Sequence, residues 1–470
     1  METMPLRRGH FRVLAVASMG QITGAGLSTL VGIVLPMIQL MRHPELSSLQ
    51  QGLIACTSLT GITVGSLVFG RLSDRYGYLF FLRLCPVITL AASLLACFTA
   101  SLPGLIAGLF FMGFGIGGEY SLDSDYISEI MPRRWRLWMV GVAKASSSLG
   151  NILVALLCFL LLKNGDNPAV WNRLLLFVSA LAAVMIVSRI RFAESPGWLI
   201  ARNRVGEAEA AVRYFLGPDV EAVVKTSGDR PAGHRIGPDL EVGEIRNRKK
   251  QAVPFRKMFT GNNLKRVILS GVPWACEGLG VYGIGVFLPM LVMALGIEAS
   301  GSGTAAPFAR IVDSVRTTTW INLSMLPGFA LGLLLVNRWS HIRIQVWGFI
   351  LCALGLLLLL IAYRFRLPTA VALTGFMIFE IFLNAGPHLM TFILPSQIYP
   401  VADRGEGAGL AAAIGKTGAI AGVLFVPLLL SWGGATAVLL VAAAVQITGA
   451  AVTGLLGRKV IPNPSGTPAA

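Results

Sequence analysis

The residues best equipped for chemistry lie in the stretch GFGIGGEYSLDSDYISEIMPRRWR, from Gly113 to Arg136. It carries Glu119, Asp123, Asp125 and Glu129 between long apolar runs, and it ends in a basic turn. A lone carboxylate at the centre of a membrane helix costs about 2.5–3.5 kcal/mol, so such residues face a partner or a water-filled cavity. Glu119 and Asp123 are four apart and share one helical face, which Tyr126 extends. Lys144 enters the next apolar run about 11 Å from its basic end, at 1.5 Å per residue, a depth similar to that of Asp123. This placement predicts a Lys144–Asp123 contact, or a cluster that includes Glu119. Later in the chain Glu380, Asn384 and His388 fall on one face at successive steps of four. Buried carboxyls can load and release protons, and a buried lysine can recruit an anion.

The elements that must hold these groups are membrane helices. The chain has 470 residues, of which 54% are hydrophobic and only 13% charged, against about 25% charged in a soluble chain. Apolar segments of roughly 20 residues, the length that spans a bilayer, recur throughout. Twelve spans are expected, near 12–40, 50–70, 78–99, 103–131, 137–162, 169–190, 265–295, 314–336, 345–363, 368–397, 405–430 and 435–457. The fold class is therefore an all-α polytopic membrane protein. A net charge of +16 invites nucleic acid as a partner, but the basic residues sit in short loops on alternate sides of the spans, where orientation needs them. The six cysteines form no CxxC pair and read as small packing residues.

Arg7, Arg8, Arg12, Arg71, Arg75, Arg83, Arg133, Arg134, Arg136, Arg338, Arg343 and Arg404 fall on one side, with the polar central stretch. By the positive-inside rule both termini and that stretch are expected in the cytoplasm. Ser128-Glu-Ile-Met-Pro132 is echoed by Ser396-Gln-Ile-Tyr-Pro400 at an offset of 268, which also maps Gly118 onto Gly386 and Arg136 onto Arg404. A run at fixed register predicts two copies of a six-helix unit. The expected domains are an N-terminal six-helix bundle over 1–192, a cytoplasmic central loop over 193–262, a C-terminal six-helix bundle over 263–460 and a disordered tail over 461–470. Parallel halves of this kind hold substrate at the midplane between them.

GRLSDRYGY (Gly70–Tyr78) resembles the loop 2–3 signature of the major facilitator superfamily, and AESPGWL (Ala193–Leu199) resembles the motif that follows span six in its sugar-porter-like members. NAGPHLMTFILPSQIYPVADRGEGAGLAAAIGKTGAI (Asn384–Ile420) and GGEYSLDSDYISE look most like the phosphate:proton symporter branch and its metabolite-transporting relatives. The resemblance implies a gating role for the motif residues Gly70, Asp74, Arg75 and Gly77, and a similar latch at Glu129, Arg136 and Arg404. It also implies that Glu119, Tyr120, Lys144, Trp274 and Tyr282 line the substrate cavity. Lys144 replaces that branch's Gln, and Gly278 stands where its span-seven Asp would be, with Glu277 adjacent. Leu109 stands where proton-coupled members carry Arg, and Gly24 where the phosphate branch carries Asp. A polar or anionic metabolite other than phosphate is thus expected. Trp274 and Tyr282 read equally as packing aromatics, and Asn384 and His388 also read as interhelical hydrogen-bond glue.

The expected activity is secondary active transport of a small polar, anionic metabolite across the cytoplasmic membrane by proton-coupled alternating access. Lys144 would meet the negative group, and Glu119, Asp123, Glu277 or Glu380 would carry the proton. The alternatives are a proton-driven antiporter or exporter and an uncoupled facilitator. The expected partners are the small-molecule substrate, protons and the lipid bilayer, with the chain a monomer and no nucleic acid. No cofactor or metal is expected. An enzyme with Asp123 and Asp125 as metal ligands lacks a second acidic motif and a His/Cys set. A transport-derived receptor lacks a signalling domain, and no GxxxxGK[ST] string marks a nucleotide site.

Overall fold

The computed structural model of the chain describes residues 6–41, 45–99, 101–163, 167–217, 258–297, 307–399 and 404–460. Among these residues the fold is all helical. The first half comprises α1 (Arg8–Met41), α2 (Ser48–Tyr76), α3 (Tyr78–Phe98), α4 (Leu102–Ile130), α5 (Arg133–Leu162) and α6 (Leu176–Arg189). Two short helices follow, α7 (Pro196–Ala201) and α8 (Val205–Leu216). The second half comprises α9 (Gly261–Gly278), α10 (Leu288–Ala294), α11 (Pro307–Leu323), α12 (Met325–Leu335), α13 (His341–Arg364), α14 (Thr369–Ala385), α15 (Pro387–Ile398) and α16 (Arg404–Val460). Residues 218–257 and 461–470, expected as loop and tail, lie outside the described residues.

Among the described residues, eleven helices, counting adjoining segments together, are long and apolar enough to cross a membrane. The last accounts for two crossings. α16 runs for 57 residues but loses helical geometry at Gly434, where φ is 63° and ψ −166°, a backbone conformation that only glycine adopts readily. Each limb exceeds the roughly 20 residues that a span requires.

Helix starts follow ordinary capping rules. The Ser101 hydroxyl accepts a hydrogen bond from Gly104 N at 3.2 Å, and Ser340 accepts one from Arg343 N at 3.3 Å. Each satisfies one of the amides left bare in a first turn. α2 and α4 pack through Gly61, Gly65 and Gly117, where any Cβ would collide with the opposing backbone. Small residues let membrane helices approach closely without a hydrophobic driving force.

The chain divides into two compact units. Unit 1 is Met1–Gly24, Gly61–Ser147 and Val178–Ala252; unit 2 is Ala25–Thr60, Ser148–Phe177 and Val253–Ala470. Unit 1 has a core of Val13, Phe69, Phe81, Tyr126, Phe192 and Phe215 with their neighbours. α8 belongs to it. Its apolar face buries Ala208, Ala211, Val212, Phe215 and Leu216, and Arg7 Nη1 donates to Leu216 O at 2.5 Å. One core of unit 2 gathers Val267, Leu269, Leu389, Met390, Ile393 and Tyr399.

Candidate functional site

Unit 1 holds a buried acid–base cluster on α4 and α6. Arg189 Nη1 donates to Glu119 Oε1 at 2.6 Å, and Nη2 reaches Oε2 at 2.5 Å. Nη1 also donates to the Leu82 carbonyl of α3 at 2.7 Å. Both residues are wholly buried, at 0% exposure. A two-pronged guanidinium–carboxylate contact is the strong form of ion pair, and removing one partner of a buried pair costs about 3–5 kcal/mol. One turn further on, Asp123 is also buried, and neither carboxylate oxygen has a hydrogen-bonding partner. Its carboxylate faces α1 at Gly20, where a Cβ would collide with it, and the Tyr120 hydroxyl occupies the space at Gly24 in the same way. A side chain at Gly24, such as the Asp of the phosphate branch, would displace Tyr120. The Lys144 ammonium lies 5.9 Å from the centroid of the Tyr120 ring. The expectation was a Lys144–Asp123 contact or a cluster that includes Glu119; Glu119 pairs with Arg189, Asp123 accepts no hydrogen bond, and the Lys144 ammonium lies near the Tyr120 ring face.

A second cluster lies in unit 2. Glu277 on α9 and His388 on α15 are buried and joined by a short hydrogen bond from His388 Nδ1 to Glu277 Oε1. The His388 ring meets Phe329 edge-on, with centroids 5.6 Å apart. The Lys416 ammonium, from α16, lies 5.1 Å from the Tyr282 ring centroid, within electrostatic reach of Glu277. Tyr282 belongs to a π-helical turn, Leu279–Ile284, that continues α9. Trp274 packs on Phe392 at 4.9 Å and on the backbone at Gly415. Glu380 Oε2 accepts from Asn384 Nδ2 at 3.2 Å within α14. The expected Glu380–Asn384–His388 face is thereby divided, since α14 ends at Ala385 and His388 begins a new helix that points to Glu277. A side chain at Gly278 would press on Gly415 O and Ala419 N, so the Asp of the phosphate branch has no room there.

Residues 17–456 match the sugar (and other) transporter family. The chain belongs to that family. An inner membrane metabolite transport protein of Escherichia coli, YgcS, is 26% identical over 97% of this chain and 93% of its own length. Inorganic phosphate transporter 1-1 of rice is 26% identical over 88% of this chain and 82% of its own. The inward-open xylose transporter XylE of E. coli has the same fold, with a TM-score of 0.75 at 18% identity over 98% of both chains. This sugar transporter family member is a major facilitator protein of the membrane and not an enzyme.

The motif residues of this transporter build a compact junction in unit 1. Gly77 adopts φ 109° between α2 and α3, a left-handed turn that other residues enter only under strain. The turn brings the first amides of α3 onto Glu194 of the AESPGWL motif, which accepts from Tyr78 N at 3.0 Å, Leu79 N at 3.1 Å and Ser195 N at 2.9 Å. Arg202 Nη2 donates to Arg75 O at 2.6 Å, while the Arg75 guanidinium lies over Tyr76 at 5.3 Å. Arg83 caps the end of α6 by donating to Arg189 O, Ile190 O and Phe192 O at 3.1, 2.8 and 3.3 Å. Gly70 packs against Ser121, and Arg136 Nη2 donates to Met131 O at 3.4 Å. The side chains of Asp74, Asp125, Glu129 and Arg404 lie outside the described residues.

Sequence reasoning gave no site role to Arg189, Lys416, Glu194, Arg83 or Arg202. Arg189 sits two residues before Arg191 at the end of an apolar run, where an arginine reads as a topology signal. Lys416 stands alone in AAAIGKTGAI, and that isolation marked it as plainly as it marked Lys144.

Proposed function

We propose that this transporter couples entry of a small anionic metabolite to entry of a proton, by alternating access across the cytoplasmic membrane with both termini inside. The observation that carries the reading is the buried cluster of unit 1, an ion-paired Glu119–Arg189 beside a partnerless Asp123. Glu119 is held by two guanidinium contacts, so proton traffic in this unit falls to Asp123, where protonation removes the cost of a buried charge. Lys144, close by over Tyr120, supplies the positive charge that an anion needs. The relatives' names, metabolite and inorganic phosphate transport, fit a small polar cargo, and the arginine distribution fits the orientation.

The test is purified protein in liposomes with a trapped pH dye, challenged with phosphate, organic acids, sugars and polyols. Substrate-dependent acidification of the lumen is expected for an anion, lost in Asp123→Asn, Glu119→Gln and Lys144→Ala proteins that remain folded. Labelled anion entering without a proton would make the protein a facilitator, and wild-type uptake in the three variants would remove the site. A panel that moves nothing inward would favour export.

A further inference from the structure

The start of α1 is fastened to α8 within unit 1. Arg7 Nη1 donates to the Leu216 carbonyl at the end of α8, where a helix stabilises a cation. Gly9 lies so near the Phe215 carbonyl that a Cβ would overlap it, and the Arg12 guanidinium is 5.7 Å from the Tyr214 ring centroid. Among these contacts sits His10, with only 1% of its surface exposed. Its Nδ1 accepts a hydrogen bond from the backbone N–H of Arg7 at 2.8 Å. Arg7 immediately precedes α1 and His10 is the third residue of the helix. The imidazole therefore does what Glu or Gln does in a capping box, reaching back to the N-cap amide. A Gln in that place accepts at any pH. A histidine accepts only while Nδ1 carries no proton.

We propose that His10 is an acid-released latch: a proton on Nδ1 removes the cap from Arg7 and lets α8 part from the start of α1. The neutral ring keeps its one proton on Nε2, on the side of the Ile130 carbonyl that ends α4. A second proton goes to Nδ1, where it meets the Arg7 N–H head on. It also places a cation in the first turn of a helix, which the dipole disfavours, and beside the Arg7 guanidinium. The imidazolium is relieved by swinging out of its buried seat, and the turn that aims Arg7 and Gly9 at α8 goes with it. The docked form excludes this proton and the released form takes it up. Docking is thus firm above neutrality and weakens as pH falls through the ordinary histidine range. Release matters to the rest of unit 1 because α1 continues to Gly20, on which the Asp123 carboxylate lies. Which side of the membrane the latch samples follows from the orientation proposed above; the latch itself does not depend on it.

The neighbouring charges offer no rival switch. On α1 these are Arg7, Arg12 and the exposed Arg8. On α8, Glu207 pairs with Arg204 on the exposed face at 2.6 Å, Glu209 is half-buried and Arg213 is exposed. Tyr214 offers its ring to Arg12. At the turn from α4 to α5, Arg134 lies over Trp135 and Arg136 Nη2 donates to Met131 O, while the side chains of Glu129 and Arg133 lie outside the described residues. Of these side-chain types, imidazole is the one that ordinarily changes charge near neutrality.

The experiment is hydrogen–deuterium exchange of the purified full chain in detergent, from about pH 5.5 to 8, with each rate divided by the intrinsic rate at that pH. The peptides read cover 6–12 and 205–216, and α3 is the internal reference. Wild type is expected to lose protection in both peptides together as pH falls, by up to about tenfold per pH unit on the acid limb, while α3 stays level. His10→Gln keeps an acceptor that cannot charge and should stay docked across the range. His10→Lys brings a cation and no acceptor, and should be released at every pH. Level protection of both peptides in wild type would overturn the proposal. So would a pH step that survives in His10→Gln, which would assign the switch to another group, or protection in His10→Lys equal to that of wild type at pH 8. If His10→Lys also loses protection at α3 it has unfolded generally, and wild type against His10→Gln decides the matter.

Discussion

Arg189 decides how the acidic face of α4 is divided. Three carbonyl or carboxylate oxygens surround its guanidinium, from Glu119 and Leu82, and Asp123, one turn away, receives no hydrogen bond. Two carboxyls on one helical face thereby have different environments, the arrangement that separates a structural charge from an exchangeable one. Arg189→Met should leave Glu119 buried without its partner and lower stability by about 3–5 kcal/mol. The double variant Glu119→Gln/Arg189→Met should recover most of that loss, as read by thermal unfolding in detergent. Additive losses in the double variant would show that the pair is not a coupled unit. The acids were legible in the sequence because charge inside an apolar run stands out. Their pairing was not, because Arg189 is 70 positions from Glu119 and spacing along one helix says nothing of a partner two helices away. Lys416 escaped for another reason: the internal repeat at offset 268 places it over Ser148, so it has no charged counterpart in the first half.

At the scale of elements, the junction between α2 and α3 is a capping device as much as a charged turn. Glu194 lies after α6 yet closes the N-terminus of α3, where exposed amides and the helix dipole favour an anion. Gly77 makes the approach possible, since a Cβ there would press on the same carboxylate. Glu194→Ala should cost about 1 kcal/mol locally and raise amide exchange at Tyr78 and Leu79 several-fold while the middle of α3 stays protected. Unchanged exchange at those two amides would remove the capping role. The helices themselves were readable from apolar length alone. The final pair of spans appears as one helix with a glycine corner at Gly434, within the SWGGA string that separates the two expected runs. What sequence left open was the short helix α8. Its attachment was not legible, because it depends on Arg7 reaching the Leu216 carbonyl across more than 200 residues.

At the scale of the molecule, the two units do not follow the two sequence repeats. The boundary cuts α1, α2 and α5 near their middles, and their arginine-poor halves belong to unit 2 with the whole second repeat. Within unit 2 those halves fit directly onto second-repeat helices. Gly32 of α1 abuts the Val286 carbonyl and Gly52 of α2 the Leu424 carbonyl, each too close to admit a Cβ. Asn151 of α5 donates from Nδ2 to Met325 Sδ at 3.5 Å and accepts from Thr29 Oγ1 at 2.9 Å. Under the alternating access proposed above these surfaces part once per cycle, which asks for contacts that are tight but few, and glycine supplies tightness without interlocking side chains. Gly32→Leu and Gly52→Leu should therefore leave the unit 1 cluster intact while shifting the population away from the closed arrangement on this side. The readout is alkylation of an Asn151→Cys reporter by a membrane-impermeant maleimide, expected to quicken several-fold in either variant as net uptake falls. Equal labelling with and without the leucine would mean that these contacts do not gate the pathway, and the device that closes this side would then have to lie in other helices.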